Sequence, residues 1–127
     1  MDDIRRFLPL SAPQFQILLA LTDADRHGYG IIQEIAARSR GETQLGTGTL
    51  YTAIAGLADS GLIAESPRRR SPADDPRRKY YRLTPLGRRV LEAEAERLER
   101  LVREAKSKGI RAARPALSRL SSASRTK

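Results

Sequence analysis

The chain has 127 residues, with 24 Lys plus Arg against 15 Asp plus Glu, a formal net charge of +9 and no cysteine. That length supports one core without staples, and the missing thiols exclude disulfides and thiolate metal sites and predict a reducing, cytoplasmic setting. The longest apolar stretch, Ile17 to Leu21, falls far short of the roughly 20 residues a bilayer span requires, and no signal-peptide pattern opens the chain, so no membrane partner is expected.

Ser11 opens the first predicted helix, with Pro13 just inside it and Gln14 three residues on, which is a capping-box pattern. Its body, Phe15 to Leu21, is apolar except at Gln16, so the helix is expected to be buried centrally. His27-Gly28-Tyr29-Gly30 follows, and the two glycines suit a tight turn. Beyond it Ile31, Ile32, Ile35 and Ala36 recur at helical spacing up to Arg38. His27 is the sole histidine, and without cysteine or a nearby acidic cluster it cannot assemble a metal site. Core packing or a capping hydrogen bond is the expected role.

A third helix opens at Gly46-Thr47-Gly48-Thr49-Leu50-Tyr51, with Leu50, Ile54 and Leu57 on one face. Gly48, Thr52, Ala55, Gly56 and Asp59 face the other way. Such a small, polar face lets a helix lie deep in a major groove, while the hydroxyls of Thr47, Thr49 and Tyr51 reach phosphate oxygens. An ordinary amphipathic surface helix has the same pattern. Gly61 suits the end of that helix, and Leu62-Ile63 leads into a short strand.

Arg68-Arg69-Arg70 and the stretch Pro72 to Pro76 form a loop, and Arg77-Arg78-Lys79-Tyr80-Tyr81-Arg82-Leu83 returns as a second strand. Two strands with a basic tip make a wing whose cations attract a nucleic-acid backbone without base-specific geometry. A solvated charged loop is the competing reading.

The last helix starts favourably, with Thr84 as cap and Pro85 in first position. Leu91, Ala95, Leu98, Val102 and Ala105 then alternate spacings of four and three, which is a coiled-coil seam, and Leu86, Val90 and Leu101 widen it. Glu92, Glu94, Glu96 and Glu99 mix with Arg97, Arg100 and Arg103 on the remaining faces. The seam predicts a homodimer, which would present two reading heads to a palindromic site; a lone amphipathic helix packed on its own domain has the same pattern. Residues 106–127 hold seven basic side chains and no acid, leaving +2 for residues 1–105. This Ser-, Ala-, Arg- and Lys-rich tail is expected to be disordered and either to add sequence-independent attraction to DNA or to serve as a solubilising appendage.

His27-Gly28-Tyr29-Gly30, Gly48-Thr49-Leu50-Tyr51, Gly61-Leu62-Ile63 and Arg77 to Thr84 with Gly87 follow in an order and spacing that resemble the PadR family of transcriptional regulators. The resemblance spans roughly residues 8 to 105. It implies a mainly α (α+β) winged helix-turn-helix with a C-terminal dimerisation helix, usually acting as a repressor relieved by a small-molecule effector or another signal, without enzyme activity or cofactor. The expected organisation is a DNA-binding domain over 8–83, a dimerisation helix over 84–106 and a basic tail over 107–127. Carried over by position, Tyr29, Thr49 and Tyr51 would touch the DNA backbone, and Arg77, Arg78 and Lys79 would belong to the wing. The sequence departs from the family pattern at Thr47, where a proline is common and whose hydroxyl could cap the helix. It departs again at Thr52, Ala55 and Gly56, where longer or basic side chains are frequent, which shifts the expected affinity towards wing and tail.

No nucleophile motif, Walker-type loop or His-rich metal spacing supports catalysis or a metal. Two non-enzymatic alternatives carry different consequences. An architectural protein would coat double-stranded DNA without sequence preference, and a protein-interaction module would associate through the last helix alone.

Overall fold

The computed structural model describes residues 3–67 and 77–111, so the expected wing cations Arg68, Arg69 and Arg70 and the tail beyond residue 111 lie outside the described residues. Among the described residues, a 3₁₀ turn (Ile4–Phe7) precedes α1 (Ala12–Ala20), β1 (Arg26–His27), α2 (Gly28–Arg38), α3 (Thr47–Asp59), β2 (Ile63–Ser66), β3 (Tyr80–Leu83) and α4 (Pro85–Ser107). The chain divides into two compact units, Met1–Glu96 and Arg97–Lys127.

Local chemistry accounts for most helix ends. At the start of α1 the Ser11 hydroxyl accepts from the Gln14 N–H at 3.2 Å while the Gln14 side chain accepts from the Ser11 N–H at 2.9 Å, satisfying two donors that a helix start leaves orphaned. The cap of α3 is Gly46, which has no side chain to offer. Thr47 therefore occupies the first helical position and does not act as the cap that its hydroxyl suggested. At the other end of α3, Gly61 adopts a φ of +79°. The Leu62 N–H reaches Leu57 O and the Gly61 N–H reaches Ala58 O, both at 3.0 Å, which is the Schellman arrangement.

The core of the first unit follows the predicted faces. Ile17 and Leu18 of α1, Ile31 and Ile35 of α2, and Leu50, Ile54 and Leu57 of α3 are buried together with Leu62, Ile63, Tyr81, Val90 and Leu91. Full burial of each such aliphatic side chain stabilises the fold by about 1.5–3 kcal/mol.

The sheet departs from the expected two-stranded hairpin. Its order is β1-β3-β2, all antiparallel, with Arg26 opposite Tyr81 and His27 opposite Tyr80. The Arg26 guanidinium also donates to Ala20 O at 2.7 Å, holding the short β1 segment against the end of α1. The strand expected from Arg77 onwards begins only at Tyr80, so the Arg77–Lys79 run approaches the sheet without joining its ladder.

Thr84 caps α4 as expected, its hydroxyl accepting from the Gly87 N–H at 2.9 Å. Gly87 lies so close to the residue that precedes β2 that an added Cβ would overlap the Leu62 carbonyl. Two residues expected elsewhere belong to the core. Leu91 is packed in the first unit instead of lying on an open seam, and Glu94, assigned to a solvent face, is 1% exposed. Glu94 stands four residues after Val90 and three after Leu91, which places it on the inward face. The Leu10 N–H donates to its carboxylate at 3.0 Å, which ties the segment before α1 to α4.

In the second unit, α4 closes at Ser107, and Gly109, at φ +88°, ends it with the Ile110 N–H donating to Ala105 O at 3.0 Å. Leu98, Leu101 and Val102 are 37%, 45% and 47% exposed. No described helix is long and apolar enough to cross a membrane.

Candidate nucleic-acid interface

The outward face of α3 is built as its periodicity requires. Burial of Leu50, Ile54 and Leu57 turns Gly48, Thr52, Ala55, Gly56 and Asp59 to the surface. Gly46, Gly48 and Gly56 have open space where a Cβ would stand. Apart from the terminal Asp59, this face projects no long polar side chain.

The expected contact residues fall into two groups. Tyr29, Tyr51, Arg77, Arg78 and Lys79 line one groove of about 500 Å³ together with His27, Gly28 and Tyr81. Thr49 and Thr52 line another, of about 540 Å³, between α3 and the start of α1 at Ser11, Pro13 and Gln14. Thr47 is exposed at the start of α3 and lines neither groove.

The first groove is the more charged. Tyr29 and Tyr51 are 59% and 47% exposed, although both carry large aromatic rings. Tyr51 leans towards the start of α2, where a Cβ on Gly28 would overlap its hydroxyl, so glycine at position 28 makes room for the phenol. Burial pushes the Tyr81 phenol above its ordinary pKa, and Tyr51 and Glu65 act in the same direction. Tyr81 is therefore a neutral donor at physiological pH. On the cationic side, the Lys79 ammonium lies 3.6 Å from a Glu65 carboxylate, with both side chains mostly exposed. Such a pair holds its partners weakly. Among the described residues Arg78 has no carboxylate partner, and its guanidinium stands 3.0 Å from His27 Nε2.

His27 makes the capping hydrogen bond that its position suggested. Its Nδ1 accepts from the Gly30 N–H at 3.0 Å at the start of α2, and its ring meets Tyr80 edge-on, with centroids 5.2 Å apart. Sequence reasoning did not place His27, Gly28 and Tyr81 with the expected contact residues, whereas the structure brings them into the same groove. Gly28 was read only as part of a turn and His27 only as a core or capping residue, and nothing local announced that Arg78 would reach back to His27.

Residues 17–93 match the family model for the transcriptional regulator PadR-like family. Over 94 residues the chain is 34% identical to a transcriptional regulator of Mycobacterium tuberculosis, covering 74% of this chain and 82% of that one. A crystal structure of a PadR family transcription regulator from Clostridium difficile superposes with a TM-score of 0.64 at 28% identity, covering 76% of this chain and 97% of the other. Bacillus subtilis PadR, solved in complex with operator DNA, shares the fold with a TM-score of 0.55 at 20% identity, over 65% of this chain and 47% of that one.

Proposed function

The chain belongs to the PadR-like family of transcriptional regulators, and on that premise we propose that it represses transcription by binding double-stranded DNA as a homodimer at a palindromic operator. Membership makes it a regulator and not an enzyme. The observation that carries the DNA reading is the groove in which Tyr29, Tyr51, Arg77, Arg78 and Lys79 converge. Hydroxyls and cations in that arrangement suit phosphate oxygens, which fix the register of a protein on a duplex while side chains in the major groove read sequence. In this proposal α3 enters the major groove and the wing flanks it, with Thr47, Thr49 and Thr52 supplying short-range contacts. Arg68, Arg69 and Arg70 would extend the basic wing.

Dimerisation is proposed through the outer half of α4. Ala95, Leu98, Val102 and Ala105 share the seam spacing, and Leu98, Leu101 and Val102 are exposed as large apolar groups on an otherwise charged helix. Leu91 is left out because its own domain buries it. The protein would act in the cytoplasm, with a small molecule relieving repression.

Selection of bound duplexes from a random pool tests the reading, using the full chain with and without candidate small molecules. Recovery of an inverted repeat bound about a thousandfold more tightly than unrelated DNA is expected. The small outer face of α3 favours one rival, an architectural protein, which would enrich no sequence and bind all duplexes alike.

A further inference from the structure

Bases are told apart in the major groove by a short set of pairings: Arg or Lys with guanine, Asn or Gln with adenine, Asp or Glu with cytosine, and an apolar group with the thymine methyl. Between Thr47 and Asp59, α3 contains no Arg, Lys, Asn or Gln, and Asp59, its one acid, is the last residue of the helix. Gln14 lines the groove between α3 and the start of α1, but its side-chain oxygen accepts from the Ser11 N–H at 2.9 Å, so that oxygen is engaged within the protein. What this groove offers instead is carbon. Pro13, Thr49, Thr52 and Ala53 line it, and Gly48 and Gly56, with open space where a Cβ would stand, permit a close approach. A threonine hydroxyl both donates and accepts, so it pairs with any base. The threonine methyl is selective, because thymine alone presents a methyl group at the major-groove edge.

We infer that α3 recognises thymine by its 5-methyl group, which enters the groove between α3 and the start of α1 and packs against the methyl group of Thr52, with Pro13 and Ala53 beside it. This rests on the DNA-binding reading above and names the base which that reading leaves open. The partner is a duplex with thymine, not guanine, at the positions that α3 meets. The small face of α3 is then a reader of apolar groups, and the wing supplies the charge. The division has a measurable consequence. A cation that contacts phosphate releases counterions and steepens the salt dependence, whereas a methyl contact adds affinity without doing so.

Uracil in place of thymine removes the methyl group and keeps the base pair, so it isolates the contact. The probe is the duplex recovered by selection from a random pool, resynthesised with uracil at one thymine at a time and titrated with the full chain. Thymine should be enriched in the recovered site. Uracil should weaken binding about fourfold wherever a methyl is buried, equally at every salt concentration, with the salt slope unchanged.

Substitutions at Thr52 locate the contact on the protein. Thr52→Ser removes the methyl and keeps the hydroxyl, so it should lower affinity for the thymine duplex about fourfold. At one thymine it should also abolish the cost of uracil, because both changes remove the same contact. Thr52→Val keeps the methyl, and uracil at that position should cost it as much as it costs the wild type. Both variants should keep the wild-type thermal midpoint, since Thr52 is exposed. Uracil duplexes bound as tightly as thymine duplexes, a recovered site without thymine, or a uracil cost that persists at every position in Thr52→Ser would each overturn the methyl contact while DNA binding stands. Equal binding of all duplexes would overturn it as well and leave an architectural protein in its place. Failure of the wild-type chain to bind any duplex would remove the functional reading and this inference together.

Discussion

At the scale of single residues, the proposed interface is dominated by charge and hydroxyl groups that would meet any duplex in the same way. Replacing Arg77, Arg78 and Lys79 together by Ala should weaken binding to operator and unrelated DNA alike, because phosphate contacts carry no direct sequence information. The slope of log affinity against log salt should fall by about 0.9 for each phosphate that is no longer neutralised, read from fluorescence titrations at several salt concentrations. An unchanged slope would reduce the run to a solvated approach to β3. Tyr51→Phe isolates the hydroxyl. The ring keeps its place beside Gly28, so affinity should drop several-fold, as expected for one hydrogen bond to a charged group, with sequence preference intact. Thr52→Ala should do the reverse, altering preference among operator variants more than salt dependence, because Thr52 lies on the outward face of α3. The sequence identified these side chains as surface groups with suitable chemistry. It did not show that Tyr51 joins the wing cations while Thr49 and Thr52 line a different groove, since residues one and two positions apart on a helix face different directions.

At the scale of elements, the wing and α4 depend on one close approach. Gly87, in the first turn of α4, sits against the Leu62 carbonyl and the Leu83 side chain. A backbone carbonyl cannot swing aside as the end of a flexible side chain can. Gly87→Ala should therefore destabilise the fold by about 1–3 kcal/mol, visible as a lowered thermal midpoint, whereas Gly56→Ala, with open space at its Cβ, should not. An unchanged midpoint for Gly87→Ala would mean that the start of α4 can move away from Leu62 without cost. Helix starts and stops were legible because caps are local: Ser11 with Gln14, Gly61, and Thr84 with Pro85 act within a few residues of themselves. The β1 strand was not legible. Two residues cannot display a period of two, and Arg26–His27 becomes a strand only because β3 offers it a ladder.

For the molecule as a whole, the proposed dimer would cover Leu98, Leu101 and Val102, which are exposed in the single chain. Leu98→Glu should convert a dimer into a monomer in sedimentation experiments at micromolar concentration, since an unpaired carboxylate in an apolar seam is costly to bury. Operator affinity should fall with it, because two linked reading heads bind at a high effective concentration. A monomeric wild type, or a mutant that dimerises undisturbed, would remove the seam from the proposal. The charge imbalance offers a second handle. Deleting residues 107–127 removes six basic side chains and no acid, so non-specific affinity should drop while operator preference is retained.

The sequence by itself determined the order of the helices, most of their ends and the faces they bury, because capping and a 3.6-residue period act over one or two turns. The spacing of its motifs was enough to identify the family. Only the tertiary structure decided that Leu91 and Glu94 belong to the core, because a regular seam cannot say where the domain that covers its first turns ends. It likewise decided that Gly28 gives way to Tyr51 and that Arg78 meets His27 across 51 residues. Those relations have no signature in sequence spacing, since they arise where elements that fold by local rules are packed against one another.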